Sequence, residues 1–219
     1  EGFGVEYETP SGVKKCACDT YYAVDTEFKD TWTKYKSYEE IVNEVDKLIS
    51  IYPYNYKIDI VITGGEPLLY WNKNEFQKLL KHYIEEGHKV TIETNGSLNL
   101  NIDKEYQKKL LFSMSVKLSN SLEKKKKRIN INTLTTILSN TKESYLKFVI
   151  GKDFLNDAKK EINEILSSIP KCDVYLMPLG DTAEQINKNC EDVINMAIEN
   201  GFKYCDRLHI RVWDNKRGV

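Results

Sequence analysis

A parallel α/β fold is the architecture this sequence predicts, and three observations carry the prediction. Short apolar runs rich in β-branched residues recur along the chain. Segments with apolar residues at helical spacing stand between them. Polar or Gly- and Pro-containing clusters follow several of the runs, at the end where ligands bind in β/α folds. A barrel or partial barrel and an open doubly wound sheet both satisfy this alternation. The runs themselves predict strands covered on both faces.

Residues 1–36 are polar and turn-rich, with Pro10-Ser11-Gly12 as a turn, and read as loop. Residues 37–51 predict a helix: Ser37 and Glu40 form a capping box, and Ile41, Val45, Leu48 and Ile49 share a face. A buried strand is expected at 58–62, a helix at 75–86 ended by Gly87, and a strand at 89–92. A short helix at 104–111 leads into a strand at 112–116. A helix at 131–139, a strand at 145–150, a helix at 154–169 and a strand at 173–177 continue the alternation. Residues 183–200 form a helix closed by Gly201, and the last strand is expected at 202–213. No Pro/Gly/Ser-rich linker intervenes, so residues 1–219 read as one domain, with 37–219 as its β/α core.

Composition narrows the function classes. With 41% hydrophobic and 30% charged residues the chain has an ordinary globular make-up. Lys+Arg 32 against Asp+Glu 33 leaves a net charge of −1, which excludes a nucleic-acid binder driven by bulk charge. No apolar run approaches the roughly 18–20 residues of a membrane span, and no signal-like apolar stretch opens the sequence. An odd number of cysteines, 5, argues against a disulfide framework and for a reducing, cytoplasmic compartment.

Four clusters fall at the C-terminal ends of expected strands: Thr63-Gly64-Gly65-Glu66-Pro67, Glu93-Thr94-Asn95-Gly96, Ser115-Val116-Lys117-Leu118-Ser119 and Met177-Pro178-Leu179-Gly180. A lone example is an ordinary turn; four at one edge mark a site. The glycine pair lets a ligand approach the backbone closely. Glu66 sets a carboxylate beside it, which suits an amino group better than a phosphate, and the spacing matches neither a P-loop nor a dinucleotide fingerprint. Cys16 and Cys18 stand close together before Asp19-Thr20, whereas Cys172, Cys190 and Cys205 are isolated and read as plain thiols. A C-x-C pair alone is short of the three or four ligands of a metal site. His82 and His88 flank the end of a helix and read as surface residues. In a strand, Arg207 and His209 share a face. The run from Lys124 to Arg128 reads as a solvated loop, and the aromatic stretch 52–56 as core or dimer contact.

The phrase Ile62-Thr63-Gly64-Gly65-Glu66-Pro67, downstream of Cys18-Asp19-Thr20, resembles the radical S-adenosylmethionine (SAM) superfamily. The finer resemblance is to the 7-carboxy-7-deazaguanine synthases, on Cys18 to Thr20, Thr63 to Pro67, Ile92 to Gly96, Ser115 to Ser119, Lys147-Phe148, Met177-Pro178 and Arg207-Leu208-His209. It implies a partial (β/α) barrel of about six parallel strands, a homodimer, a [4Fe–4S] cluster, SAM and Mg²⁺. It also implies a reaction: 6-carboxy-5,6,7,8-tetrahydropterin becomes 7-carboxy-7-deazaguanine with loss of ammonia, in the biosynthesis of queuosine and related deazapurines. The partners it implies are the small pterin substrate and a reductant such as flavodoxin or ferredoxin, with neither nucleic acid nor membrane. A glycyl-radical activating enzyme and a non-catalytic β/α binding module are the alternatives.

The site residues follow from the resemblance. Cys18 is the expected cluster ligand, favoured over Cys16 by its place before Asp-Thr, and residues 1–36 are the cluster-binding loop with an insertion. The chain starts at Glu1 rather than Met, and the two remaining cluster cysteines are expected upstream of it. The resemblance implies that three thiolates would hold the cluster and leave room for SAM, the pair supplying one-electron reduction and hydrogen abstraction. Gly65 and Glu66 are expected at the methionine end of SAM, with Ala17, Asp19, Glu93, Ser115, Val116, Lys117, Met177 and Pro178 lining the rest. Thr20 is the expected Mg²⁺ ligand. Thr63, His209 and the α-carboxylate of Val219 are expected at the substrate, the last as acceptor for its 2-amino-pyrimidinone N–H groups.

Overall fold

The computed structural model describes residues 5–16, 21–53, 56–214 and 216. Strands β1 (Val5–Thr9) and β2 (Gly12–Cys16) form an antiparallel hairpin. Two 3-10 turns, Tyr21–Ala23 and Thr26–Thr31, follow. The opening is therefore not the loop the composition suggested: Tyr7 stacks on Tyr21 with ring centroids 3.9 Å apart, and Lys14 pairs with Asp25 at 2.9 Å and with Glu27. These non-local contacts have no local sequence signature.

The core then runs α1 (Tyr38–Ser50), β3 (Ile60–Ile62), α2 (Asn74–Glu85), β4 (Val90–Thr94), β5 (Leu111–Ser115), α3 (Lys125–Arg128), α4 (Ile131–Asn140), β6 (Tyr145–Ile150), α5 (Leu155–Leu166), β7 (Asp173–Pro178), α6 (Ala183–Asn200), β8 (Lys203–Tyr204) and α7 (Leu208–Trp213). Strands β3 to β8 form one six-stranded sheet, paired in chain order and all parallel. Sequential order decides between the two architectures left open. A doubly wound sheet reverses its order at a switch point and puts helices on both faces. Here there is no reversal in the strand order.

Burial agrees. Ile92, Phe112, Met114, Leu146, Phe148 and Leu176 are fully sealed under the helices. The alternate residues Thr91, Glu93, Ser115, Lys147, Val149, Tyr175 and Met177 are only partly covered. The expectation of strands buried on both faces is thus corrected: one face packs on helices and the other is the inner face of a curved, barrel-like sheet. The core side draws its stability from these apolar chains, at roughly 25 cal/mol for each Å² removed from water.

Several boundaries differ from expectation. Ser37 occupies the N-cap of α1, but its side chain makes no capping bond, and the Glu40 carboxylate accepts from Lys36 N at 2.8 Å rather than from Ser37. The helix expected at 104–111 is a 3-10 turn, Gln107–Lys109, held because the Gln107 carbonyl oxygen of the side chain accepts from Asp103 N and Lys104 N. The basic run is not a loop: it forms α3, and Arg128 is buried. His88 is half-buried, with Nδ1 2.9 Å from the Ile58 carbonyl, and His82 packs edge-on against Tyr83. Tyr52 and Tyr56 are exposed, which removes the core reading for these two residues.

The largest correction is at the chain end. The strand expected at 202–213 is only β8, after which the chain turns into α7. Cys205 therefore lies beyond the strand. Arg207 is the N-cap of α7 and donates to the Gly180 carbonyl at 2.8 Å, whereas His209 is exposed on the helix. They share no strand face. Arg211, bonded to Asp206 at 3.0 Å and to Asn187, fixes α7 against α6, a tertiary contact that outweighs the β-branched local pattern.

Candidate active site

All six strands of the sheet are parallel, so their C-terminal ends share one edge. Thr63 to Pro67 follows β3, Glu93 to Gly96 ends β4, Ser115 to Ser119 ends β5, and Met177 to Gly180 ends β7. The four clusters singled out from the sequence therefore gather at this edge.

The glycine pair is its most distinctive backbone. Gly64 and Gly65 have φ of +86° and +56°, a left-handed succession that only glycine adopts cheaply. A Cβ on Gly64 would meet nothing within 4 Å, so the backbone lies open to a ligand. A Cβ on Gly65 would stand 3.3 Å from Val24 Cγ1 and 3.5 Å from the Ala23 carbonyl. The segment just after Cys18-Asp19-Thr20 thus returns against the glycines. Ala17, Cys18, Asp19, Thr20 and Val219 lie outside the described residues.

Glu66 also has an internal task. Its Oε1 accepts from Leu68 N at 3.1 Å and from the Thr94 hydroxyl at 2.6 Å, and its Oε2 accepts from Asn95 N at 2.9 Å. Oε1 thus carries two internal bonds, and Oε2 carries one and keeps a further lone pair. Glu66 ties the loop after β3 to the end of β4 and holds the glycine backbone in place, so the glycine carbonyls and the remaining lone pair of Oε2 are the groups able to receive an amino group.

On the inner face, the Thr63 hydroxyl donates to Glu93 Oε2 at 3.1 Å, and Lys147 Nζ donates to Glu93 Oε1 at 3.3 Å. Lys147 was no candidate from the sequence. Its signal was parity: Leu146, Phe148 and Ile150 are the buried members of β6, so Lys147 must face the other way, on the side of Glu93. Burial pushes the nearby Cys205 thiol up, with Lys147 acting against that shift and Glu93 with it.

The remaining candidates divide by exposure. Ser115 and Met177 are on the inner face, half-buried. Val116 and Pro178 point into the core, so only their backbones reach the edge. Lys117 is exposed, and its carbonyl accepts from Arg128 Nη1 at 3.0 Å. Arg128 also pairs with Glu161 at 2.8 Å, and Glu161 accepts from Ser119 N. This buried cation, read from the sequence as part of a solvated run, fixes the whole turn after β5. His209 is exposed on α7, which follows β8.

Among the described residues no three His, Cys, Asp or Glu side chains group closely enough to hold a metal. Cys172 is half-buried and burial pushes its thiol up, the reverse of what a thiolate ligand needs. No helix among the described residues is long and apolar enough to cross a membrane.

Comparison with known proteins gives a consistent picture. Residues 16–193 match the radical SAM superfamily. The chain is similar to 7-carboxy-7-deazaguanine synthase from Rhodopirellula baltica, 29% identical across 92% of this chain and 75% of that one. It is similar to the enzyme of the same name from Halobacterium salinarum, 28% identical across 90% of this chain and 77% of that one. Among solved structures it is similar to QueE from Escherichia coli, with a TM-score of 0.55 at 16% identity, covering 91% of this chain and 82% of that one, a likeness of fold.

Proposed function

The chain belongs to the radical SAM superfamily, and from that premise we propose that it is a 7-carboxy-7-deazaguanine synthase, a lyase that contracts the ring of 6-carboxy-5,6,7,8-tetrahydropterin and expels ammonia. The observation that carries the reading is the run of relatives bearing that one name along nearly the whole chain. The product serves the biosynthesis of deazapurines such as queuosine. A small-molecule substrate and a reductant follow from the superfamily. That the substrate is a pterin, the reductant a flavodoxin or ferredoxin, the assembly a homodimer and the location the cytoplasm are parts of the same proposal.

The residues at the sheet edge fit SAM. The glycine backbone at Gly65, beside the open Gly64, and the carboxylate of Glu66 suit its amino group, and Lys117 offers an exposed ammonium to its carboxylate as a point charge. Glu93, Ser115 and Met177 supply polar and thioether surface on the inner face for the remainder, with the backbones of Val116 and Pro178 beside them. Cys18 is the proposed ligand of a [4Fe–4S] cluster, Ala17 and Asp19 its neighbours at SAM, and Thr20 a ligand of Mg²⁺, which takes oxygen donors and keeps several waters. Cluster and SAM together supply one-electron reduction and hydrogen abstraction; the chain binds, orients and shields. Thr63, held by its bond to Glu93, is a proposed substrate contact, with His209 and the Val219 carboxylate as further ones.

The deciding experiment is anaerobic reconstitution followed by turnover of 6-carboxytetrahydropterin, with the deazaguanine product identified by mass. Cys18→Ala should abolish both iron incorporation and SAM cleavage. Cys172→Ala, Cys190→Ala and Cys205→Ala should keep both. A reconstituted protein that cleaves SAM but leaves the pterin unchanged refutes the substrate assignment, and an intact cluster in Cys18→Ala moves the ligand to Cys16.

A further inference from the structure

We propose that Lys147 is a positioning residue for this reaction, acting through Glu93; the inference rests on the functional reading above and adds to it a residue with no role so far. The argument starts from strand order. Glu93 is on β4 and Lys147 on β6, and β5 runs between them. At the usual strand spacing their backbones stand roughly 9–10 Å apart. The two side chains nevertheless meet at 3.3 Å, bridging over β5.

What lies beneath makes the bridge possible. The inner-face residues of β5 are Ser113, in register with Glu93, and Ser115, in register with Lys147. Both are small. A larger residue at either position would block the crossing. Ser113 is fully buried, and its hydroxyl has no hydrogen-bond partner among the described residues. Lys147 is withdrawn from water, with its side chain 15% exposed, while Glu93 keeps 38% exposure toward the open inner face.

This asymmetry is informative. Desolvating a lysine is costly, and a buried ion pair seldom stabilises a fold more than apolar packing would. Thr63 holds one oxygen of Glu93 and Lys147 the other, so the carboxylate is stretched across the cup and fixed from two sides, with its exposed flank toward the sheet edge where the glycine pair opens. Such fixation is what a group needs to hold SAM in a defined orientation, since a displacement of about 1 Å can cost on the order of 100-fold in rate. Lys147 thus acts on the reaction by aiming Glu93.

The test uses the reconstituted holoenzyme. Lys147→Met should lower kcat per iron-loaded, SAM-saturated molecule at least tenfold and weaken SAM binding severalfold, with KM for the pterin within about threefold of wild type. Lys147→Arg, which can remake the bond to Glu93, should recover most of the loss. The double variant Lys147→Met/Glu93→Gln should be no slower than Glu93→Gln alone, because the lysine works only through the carboxylate. Lys147→Gln serves if the methionine variant does not fold. Wild-type kcat in Lys147→Met, a loss confined to KM, or losses that multiply in the double variant each overturn the inference while leaving the functional reading intact. A wild-type enzyme that does not turn over the pterin overturns the functional reading first and this role with it.

Discussion

Glu66→Gln separates an internal tie from a ligand contact. In the native protein Oε1 accepts two bonds, from Leu68 N and the Thr94 hydroxyl, and Oε2 accepts one, from Asn95 N. An amide has one acceptor oxygen and one donor nitrogen. Placed with its nitrogen at the Oε2 position, it confronts the Asn95 N–H donor to donor. Flipped, the nitrogen confronts Leu68 N–H, and the Thr94 hydroxyl, already accepting from Gly96 N at 3.1 Å, must turn its proton elsewhere. Either way one half-buried backbone N–H loses its partner, a cost of about 2 kcal/mol. For a chain of this size that lowers Tm by roughly 4–8 °C. Glu66→Ala loses all three bonds and should cost about 3–5 kcal/mol. The assay is urea unfolding of the apoprotein followed by far-UV circular dichroism, so no cofactor is needed. If Glu66→Gln unfolds at the wild-type midpoint while SAM affinity falls tenfold or more, the carboxylate is a ligand group and the internal-tie argument is wrong.

Further outcomes follow from the same geometry. Gly180→Ala should destabilise by about 3 kcal/mol, because a Cβ there would stand 2.8 Å from Ile186 N at a φ of +158°; unfolding measured calorimetrically within 2 °C of wild type would refute it. Arg128→Met removes the partner of Glu161 and the donors to the Lys117 and Glu123 carbonyls, and should cost about 3–5 kcal/mol and weaken SAM binding as the turn after β5 loosens. Hydrogen bonding from Lys14 holds the Glu27 carboxyl down at about 2, and backbone and Lys14 bonds hold Asp25 low as well. A depressed carboxylate contributes stability above its unfolded pKa that disappears as pH falls through the folded one. The hairpin should therefore detach between about pH 4.5 and 2, seen in the near-ultraviolet dichroism of the stacked Tyr7 and Tyr21, and Glu27→Gln should flatten that acid step.

Local pattern settled much of this protein. The helix at Ala183–Asn200 with Gly201 behind it, and the strand at Tyr145–Ile150, were readable to the residue because amphipathic period, capping glycine and β-branched run agree with tertiary packing there. The alternation of elements was enough to predict a parallel sheet, and parallel strands share a C-terminal edge, so the four polar clusters were bound to converge. The motif from Thr63 to Pro67 was legible because two consecutive positive φ angles leave glycine as the economical choice. What the sequence could not decide was long-range pairing. Strand order excluded the doubly wound alternative only once the sheet was seen. Whether Glu66 faced a ligand or Thr94 and Asn95 depended on residues 28 and 29 positions away. The chain end read as strand from its β-branched residues, yet Arg211 bonds to Asp206 and Asn187 and the helix wins. Arg128 looked solvated within a run of lysines until Glu161 was brought against it, and Lys147 gained Glu93 only when a strand of small serines came to lie between them. Propensity and pattern act over a few residues, whereas the charge pairs that shape this site join elements 33 and 54 residues apart, as the positions of Arg128 and Glu161 and of Glu93 and Lys147 give directly.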